Sequence, residues 1–274
     1  MNTIKHQSGL SMIELMVALV ISSFLILGVT QIYIDNKRSY VFQENQTENL
    51  EGARFTLLVL QQELAKAGYR RRPDQLSDQA FPASNVSDCN FSAGEAAIRT
   101  AADSICIRYQ IADEKTRDCI GNLPTNTGDL SNPYTSATEI TVERIYFNSG
   151  ELTCKVTHTD ANGAALASAI SASLVNGLAD LRYELGVGSA SDPRAVVSYT
   201  KDDTTLPILT IRYTVLMRSS NSNLRDAVDA DTALANWKKL TGATSSQVTT
   251  VKNADKGQLY QVSQSAVMLR NLMP

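Results

Sequence analysis

A run without a single charged residue extends from Leu15 to Val29, its apolar character lasts to Ile34, and one carboxylate, Glu14, stands at its head. Counted from Leu10 to Ile34, the stretch has about the length that spans a bilayer as a helix. A charged side chain near a bilayer centre costs roughly 2.5–3.5 kcal/mol even on lenient insertion scales. Glu14 therefore either keeps the segment out of lipid or has a partner there.

The preceding residues, "MNTIKHQSG", are polar, with one firm positive charge at Lys5. That bias orients the rest of the chain outward from the cytoplasm. A secretory signal would end in a small-residue cleavage site, but "TQIYIDNKRSY" follows instead. A lipoprotein signal would need a cysteine just after the apolar core, and none stands there. A plain uncleaved anchor leaves Glu14 without a reason.

The spacing from Gly9 through Leu10 to Glu14, "SGLSMIE", supplies one. Together with the short basic leader and the span-length run, it resembles the class III signal of type IV pilins and type II secretion pseudopilins. The resemblance implies cleavage after Gly9 by a prepilin peptidase on the cytoplasmic side, followed by N-methylation of Leu10. Most of that family has Phe where this chain has Leu10.

Past the apolar run, Leu50, Ala53, Leu57, Leu60, Leu64 and Ala67 recur at three- and four-residue steps, one stripe of an amphipathic helix. Gly68 is placed as a C-terminal cap, and Pro73 follows. A helix continuous from Leu10 to Ala67 would measure about 87 Å. Gly28 and Gly52 are its candidate bend points. "YRRRP" (Tyr69–Pro73) reads as a short solvated basic cluster ending the helix.

Beyond Pro73 the composition turns to Ser, Asn, Asp, Thr and Gly with short alternating runs. Strands are predicted over Ser104–Ile111, Leu178–Val187, Pro207–Ser219 and Gly257–Asn271, with a hairpin over Glu139–Thr157 around "NSG". A short helix is predicted near Asp231–Leu240. Strands after one long helix, without βαβ alternation, predict an α+β fold whose antiparallel sheet packs on the Leu50–Ala67 stripe. Tyr183, Tyr213 and Trp237 are expected to be ordinary core or half-buried aromatics.

The chain's 274 residues, 43% apolar, allow one sizeable core or two small domains. A net charge of -3 with no basic face argues against nucleic acid. Cys89, Cys106, Cys119 and Cys154 form no C-x-x-C pair, so disulfides in an oxidising compartment are expected and a metal site is not. Three connectivities are open; closure of local loops favours Cys89–Cys106 with Cys119–Cys154.

The segments Asn49–Arg70, Ser173–Gly188, Ile208–Ser219 and Val267–Asn271 extend the resemblance to PilW-type minor pilins and the related pseudopilin J. It implies the pilin fold, with residues 1–9 as leader, 10–34 as transmembrane and filament-core helix, 35–68 as its amphipathic continuation and 69–274 as the exported sheet domain. It further implies anchoring in the inner membrane, then priming of pilus assembly at the filament tip. The implied partners are other minor pilins, the major pilin and a tip adhesin, and Glu14 would pair with a neighbouring subunit's N-terminal amine. Surface pili and twitching motility would depend on that assembly.

Enzymatic chemistry finds little support. His158, in "KVTHTDANG", is the one histidine after the leader and reads as a solvated strand residue. The paired acids in "DAD" and "KDDTT" lack the spaced ligands of an EF-hand loop, and no phosphate loop, G-x-S-x-G or H-E-x-x-H occurs. No enzyme activity and no cofactor are expected. The alternatives are a type II secretion pseudopilin and, from another class, a membrane-anchored periplasmic enzyme or binding domain.

Overall fold

The structure, a computed structural model, describes residues 11–124, 130, 132, 134–202, 204, 206–225 and 228–273. The chain divides into two units, Met1–Asn45 and Gln46–Pro274. Helix α1 (Met12–Leu64) runs through both. In the first unit its polar side chains satisfy themselves on the helix. Ser22 donates to the Ala18 carbonyl at 2.8 Å, Ser23 to Val20 at 2.8 Å and Thr30 to Ile26 at 2.7 Å. These back-bonds leave no hydroxyl hydrogen of the three unmatched in an apolar medium.

The second unit contains a short helix α2 (Ser77–Ala80), a ribbon of β1 (Ser84–Val86) and β2 (Cys89–Phe91), and two larger sheets. One has five strands in chain order: β3 (Ala97–Ala101), β4 (Ser104–Gln110), β5 (Glu139–Asn148), β6 (Glu151–Asp160) and β7 (Ile170–Asn176). The other is built from β8 (Leu178–Val187), β9 (Ser198–Thr200), β10 (Ile208–Arg218) and β11 (Tyr260–Met268), in the order β11-β10-β8-β9. All pairings in both are antiparallel. Helices α3 (Ala230–Thr241) and α4 (Ser245–Asn253) lie in the connection from β10 to β11. The architecture is α+β, with a long apolar N-terminal helix and antiparallel sheets; the single sheet expected from sequence is replaced by two and a ribbon.

Each of the two larger sheets buries both faces, in different company on each side. Leu60, Leu64 and Ala67 of the helix region sit in one core with Ile105, Ile107, Ile145, Leu152 and Val156 of the five-stranded sheet and Leu181, Tyr183, Ile211, Tyr213 and Val215 of the other. The outer face of the four-stranded sheet is covered by α3 and α4, where Leu216 packs with Leu234, Trp237, Val248 and Val251. The outer face of the five-stranded sheet is covered near the ribbon, where Cys89 and Phe91 meet Ile98, Cys106 and Val142. β4 is accordingly buried at every position.

Two details of α1 correct the expected stripe. Leu50 is 39% exposed, whereas the neighbouring polar Asn49 and Thr56 are buried. Asn49 donates its amide to the Leu259 carbonyl at 3.1 Å, and a methyl at Gly52 would lie 2.8 Å from the Met217 Cε. Here the helix lies close to β10, so small and hydrogen-bonding residues take the face that leucines take further on. Gly52 is thus a close-approach residue within an unbroken helix, not a bend.

Both disulfides staple an irregular segment to this frame. Cys89–Cys106 ties β2 to β4, and Cys119–Cys154 ties the 118–122 turn to β6; the sequence separations are 17 and 35. Loop-closure entropy then predicts that the Cys119→Ser/Cys154→Ser variant loses about 3–4 kcal/mol. Its urea midpoint should fall, with m unchanged or raised because the unfolded chain without the bridge is less compact. An unchanged midpoint would contradict that assignment of stability.

Candidate functional site

The apolar segment of the first unit is a surface without a cover. Met12, Phe24, Leu27 and Val29 are among a continuous set of exposed apolar side chains, and the most apolar 18-residue window has mean hydropathy 2.5. By length and composition α1 is able to cross a membrane. Glu14 lies in its first turn and is exposed. Acidic groups are favoured there by the positive end of the helix dipole. Among the described residues no cation comes within ion-pair distance of it. Gly9 and Leu10 lie outside the described residues.

The second unit places the other titratable residues in structural roles, several of them unlike the sequence reading. His158 is not a solvated strand residue: its Nδ1 lies 2.5 Å from Glu139 Oε1 and its Nε2 3.8 Å from Asp118 Oδ2. Asp118 and Glu139 stabilise the imidazolium and hold its pKa up to about 9, against a smaller loss from burial. Asp118 also fixes its own turn, accepting from the backbone of Ile120 and Asn122 at 3.0 and 2.8 Å. The signal for this cluster lies in the hairpin. Ser149 and Gly150 both have positive φ, as a two-residue primed turn requires. That turn pairs Asn148 with Glu151, hence Thr141 with His158, and leaves Glu139 on the diagonal.

The raised value gives a pH prediction with a definite sign. A histidine at about 9 when folded and near 6.5 when unfolded adds stability that is complete below about pH 6.5 and lost as pH rises through 9. Discounted for solvent screening, the loss is about 1–2 kcal/mol. Wild type minus His158→Gln, measured by urea unfolding across that window, should reveal the slope. A difference that stays flat would contradict the ion pairs.

Glu143 is fully buried beside the Cys119–Cys154 bridge, where it accepts from the Tyr109 hydroxyl at 2.7 Å and the Cys119 N–H at 2.9 Å. Burial, and then the Glu63 charge, push its pKa well above the usual carboxylate range. The Cys119, Glu143 and Cys154 donor atoms all lie within 4.8 Å of one another. The two sulfurs are joined to each other, so they are not thiolate ligands.

The "YRRRP" run is also corrected. Arg71 is buried and donates to the Ala112 carbonyl at 2.6 Å, the Asn132 carbonyl at 2.9 Å and Thr135 Oγ1 at 2.9 Å. Sequence reasoning gave Arg108 no role, yet it is fully buried among carbonyls. Tyr183, Tyr213 and Trp237 are core residues, and the Trp237 indole donates to Asp180 at 3.0 Å. In "DAD", Asp229 caps α3 by accepting from the Thr232 N–H at 2.7 Å, and Asp231 pairs with Lys252 at 2.6 Å. In "KDDTT", Asp203 and Thr205 lie outside the described residues.

The prokaryotic N-terminal methylation motif matches residues 4–30, a window that contains Gly9, Leu10 and Glu14. Among solved structures, the chain is similar to a type IV-like pilin from Thermus thermophilus at 13% identity. That similarity covers 82% of this chain and 97% of the other, with a TM-score of 0.49. No curated protein matches. The N-terminus thus carries a methylation motif at the head of a helix long and apolar enough, by length and composition, to cross a membrane.

Proposed function

We propose that the chain is a minor pilin that primes assembly of a type IV pilus and sits at its tip. A prepilin peptidase cuts after Gly9, Leu10 becomes the N-methylated first residue, and Glu14 binds the N-terminal amine of a neighbouring subunit. The observation that carries the reading is Glu14 itself. It is the one charge from Met12 to Ile34, exposed in the first turn of a self-satisfied apolar helix and inside the matched motif.

The energetics favour register over raw stability. Either charge left alone in an apolar bundle costs several kcal/mol, whereas the pair offsets much of that desolvation. Packing of the exposed apolar side chains supplies the attraction, and the pair selects the axial position. Before assembly the same helix holds the chain in the inner membrane, with the second unit outside the cytoplasm and its disulfides formed there. In this reading residues 10–34 are the filament-core helix, 35–68 its continuation and 69–274 the exported domain, while other minor pilins, the major pilin and a tip adhesin are the partners.

Deletion of the gene tests the reading. Loss of surface pili and twitching with normal protein secretion is expected. Loss of secretion with normal pili would replace it by the pseudopilin reading, and no effect on either would overturn both.

A further inference from the structure

The Cys119–Cys154 bridge has two unlike ends. Cys154, on β6, is fully buried, whereas Cys119, in the 118–122 turn, is partly exposed. An incoming thiolate therefore meets the Cys119 side, and the sulfur that must leave is that of Cys154. A thiolate released there has no water to solvate it, which is costly unless a donor is at hand.

Glu143 stands where that charge develops. One of its carboxyl oxygens lies within 4.8 Å of both sulfurs. Its Oε1 is already taken by the Tyr109 hydroxyl and the Cys119 N–H. Its Oε2 is buried and, among the described residues, has no hydrogen-bond partner. Burial and the Glu63 charge keep the carboxyl protonated at neutral pH, against a smaller opposing pull from Lys66. A neutral carboxyl has one O–H to donate, and with Oε1 accepting twice, that hydrogen sits on Oε2. The donor is unmatched while the bridge is closed and matched once a thiolate forms beside it. The other titratable groups around Glu143 are engaged or hold their protons. Glu63 pairs with Lys66 at the end of α1, Asp118 with His158, and burial raises the Tyr109 hydroxyl.

We propose that Cys119–Cys154 is an exchangeable disulfide whose opening by a dithiol is assisted by Glu143, the proton donor to Cys154. The thiolate of the dithiol bonds to the Cys119 Sγ and the Cys119–Cys154 bond breaks. Its electron pair leaves on the Cys154 Sγ, which takes the Glu143 proton. The second thiol of the reductant, losing its proton to solvent, then displaces Cys119 as a thiolate, which solvent protonates. The dithiol is oxidised to a disulfide, the two cysteines are reduced to thiols, and Glu143 regains a proton from solvent. Closure is the reverse, with Glu143 as the base. This chemistry does not depend on the pilin reading.

The test is reduction of the oxidised full chain in detergent micelles by dithiothreitol, with free thiols alkylated and each bridge followed by peptide mass. Cys89–Cys106, in the same molecule, is the reference. Per thiolate of reductant and relative to that bridge, the wild-type rate at Cys119–Cys154 should fall as pH rises from about 7 to about 9, because the donating carboxyl loses its proton. Glu143→Gln keeps the shape but has no proton to give. It should open at least about tenfold more slowly at about pH 7 and lose the pH dependence. Neither side chain is charged at neutral pH, so repulsion of the reductant does not explain that difference. A purely structural Glu143 predicts the opposite sign, since a loosened turn exposes the bridge and speeds its reduction. A glutamine variant opened as fast as wild type or faster would overturn the proposal, as would a wild-type relative rate that rises or stays level with pH. If the variant fails to fold, the wild-type profile alone decides.

Discussion

Glu14→Ala is expected to leave leader cleavage intact and to reduce the chain's incorporation into filaments at least about tenfold. In the proposed reading the peptidase recognises the sequence around Gly9, which the substitution leaves in place. Assembly is different, because an amine brought into an apolar bundle then meets a methyl group. Breaking one partner of a buried ion pair costs about 3–5 kcal/mol, more than enough for such a loss. Glu14→Asp, one methylene shorter, should incorporate at an intermediate level. Immunoblots of sheared filaments against membrane fractions give the ratio directly. Normal incorporation of the alanine variant would remove Glu14 from the mechanism.

Arg108→Met should lower the stability of the second unit by about 3–5 kcal/mol and its midpoint by about 10 °C. Arg108 is 1% exposed and donates to the carbonyls of Glu95 and Pro82, both at 2.5 Å, of Ser92 at 2.8 Å and of Phe81 at 3.2 Å. Its guanidinium also lies 4.5 Å from the centre of the Phe91 ring. Burial pulls its pKa down to about 10, so it remains charged at neutral pH. One side chain thus replaces a strand partner for the irregular chain between α2 and β3, and methionine leaves four carbonyls without a donor. A thermal shift within about 2 °C of wild type would show that these bonds add little.

The parts of the fold that sequence made legible are those with a strong local pattern. The long apolar run and following stripe of α1, the turn of the β5–β6 hairpin and the β-branched runs of β8 and β10 declare themselves locally. α4 did not, because "SSQVTTVKN" is rich in β-branched residues. Its Thr244 and Gln247 still form a capping box, a sequence-visible start signal. β7, "ISASLVN", is an edge strand with few buried positions and so shows no alternation.

The charged interior was harder to read. Arg71 and Arg108 look like surface residues because their partners are mostly backbone carbonyls, which every residue carries and no composition reveals. His158 was recoverable only by carrying the turn's register along the strands to Glu139. The N-terminal segment needed none of this. A charge-free run of this length is long and apolar enough to cross a membrane on its own composition, and only the Gly9 spacing before it gave Glu14 a reason.

The central claim is that Glu14 acquires its partner only when the leader is cut. The mass of the N-terminal peptide from membrane-extracted protein tests it most directly. The account predicts a chain that begins at Leu10 and carries one added methyl group. A chain that retains Met1–Gly9 would contradict it.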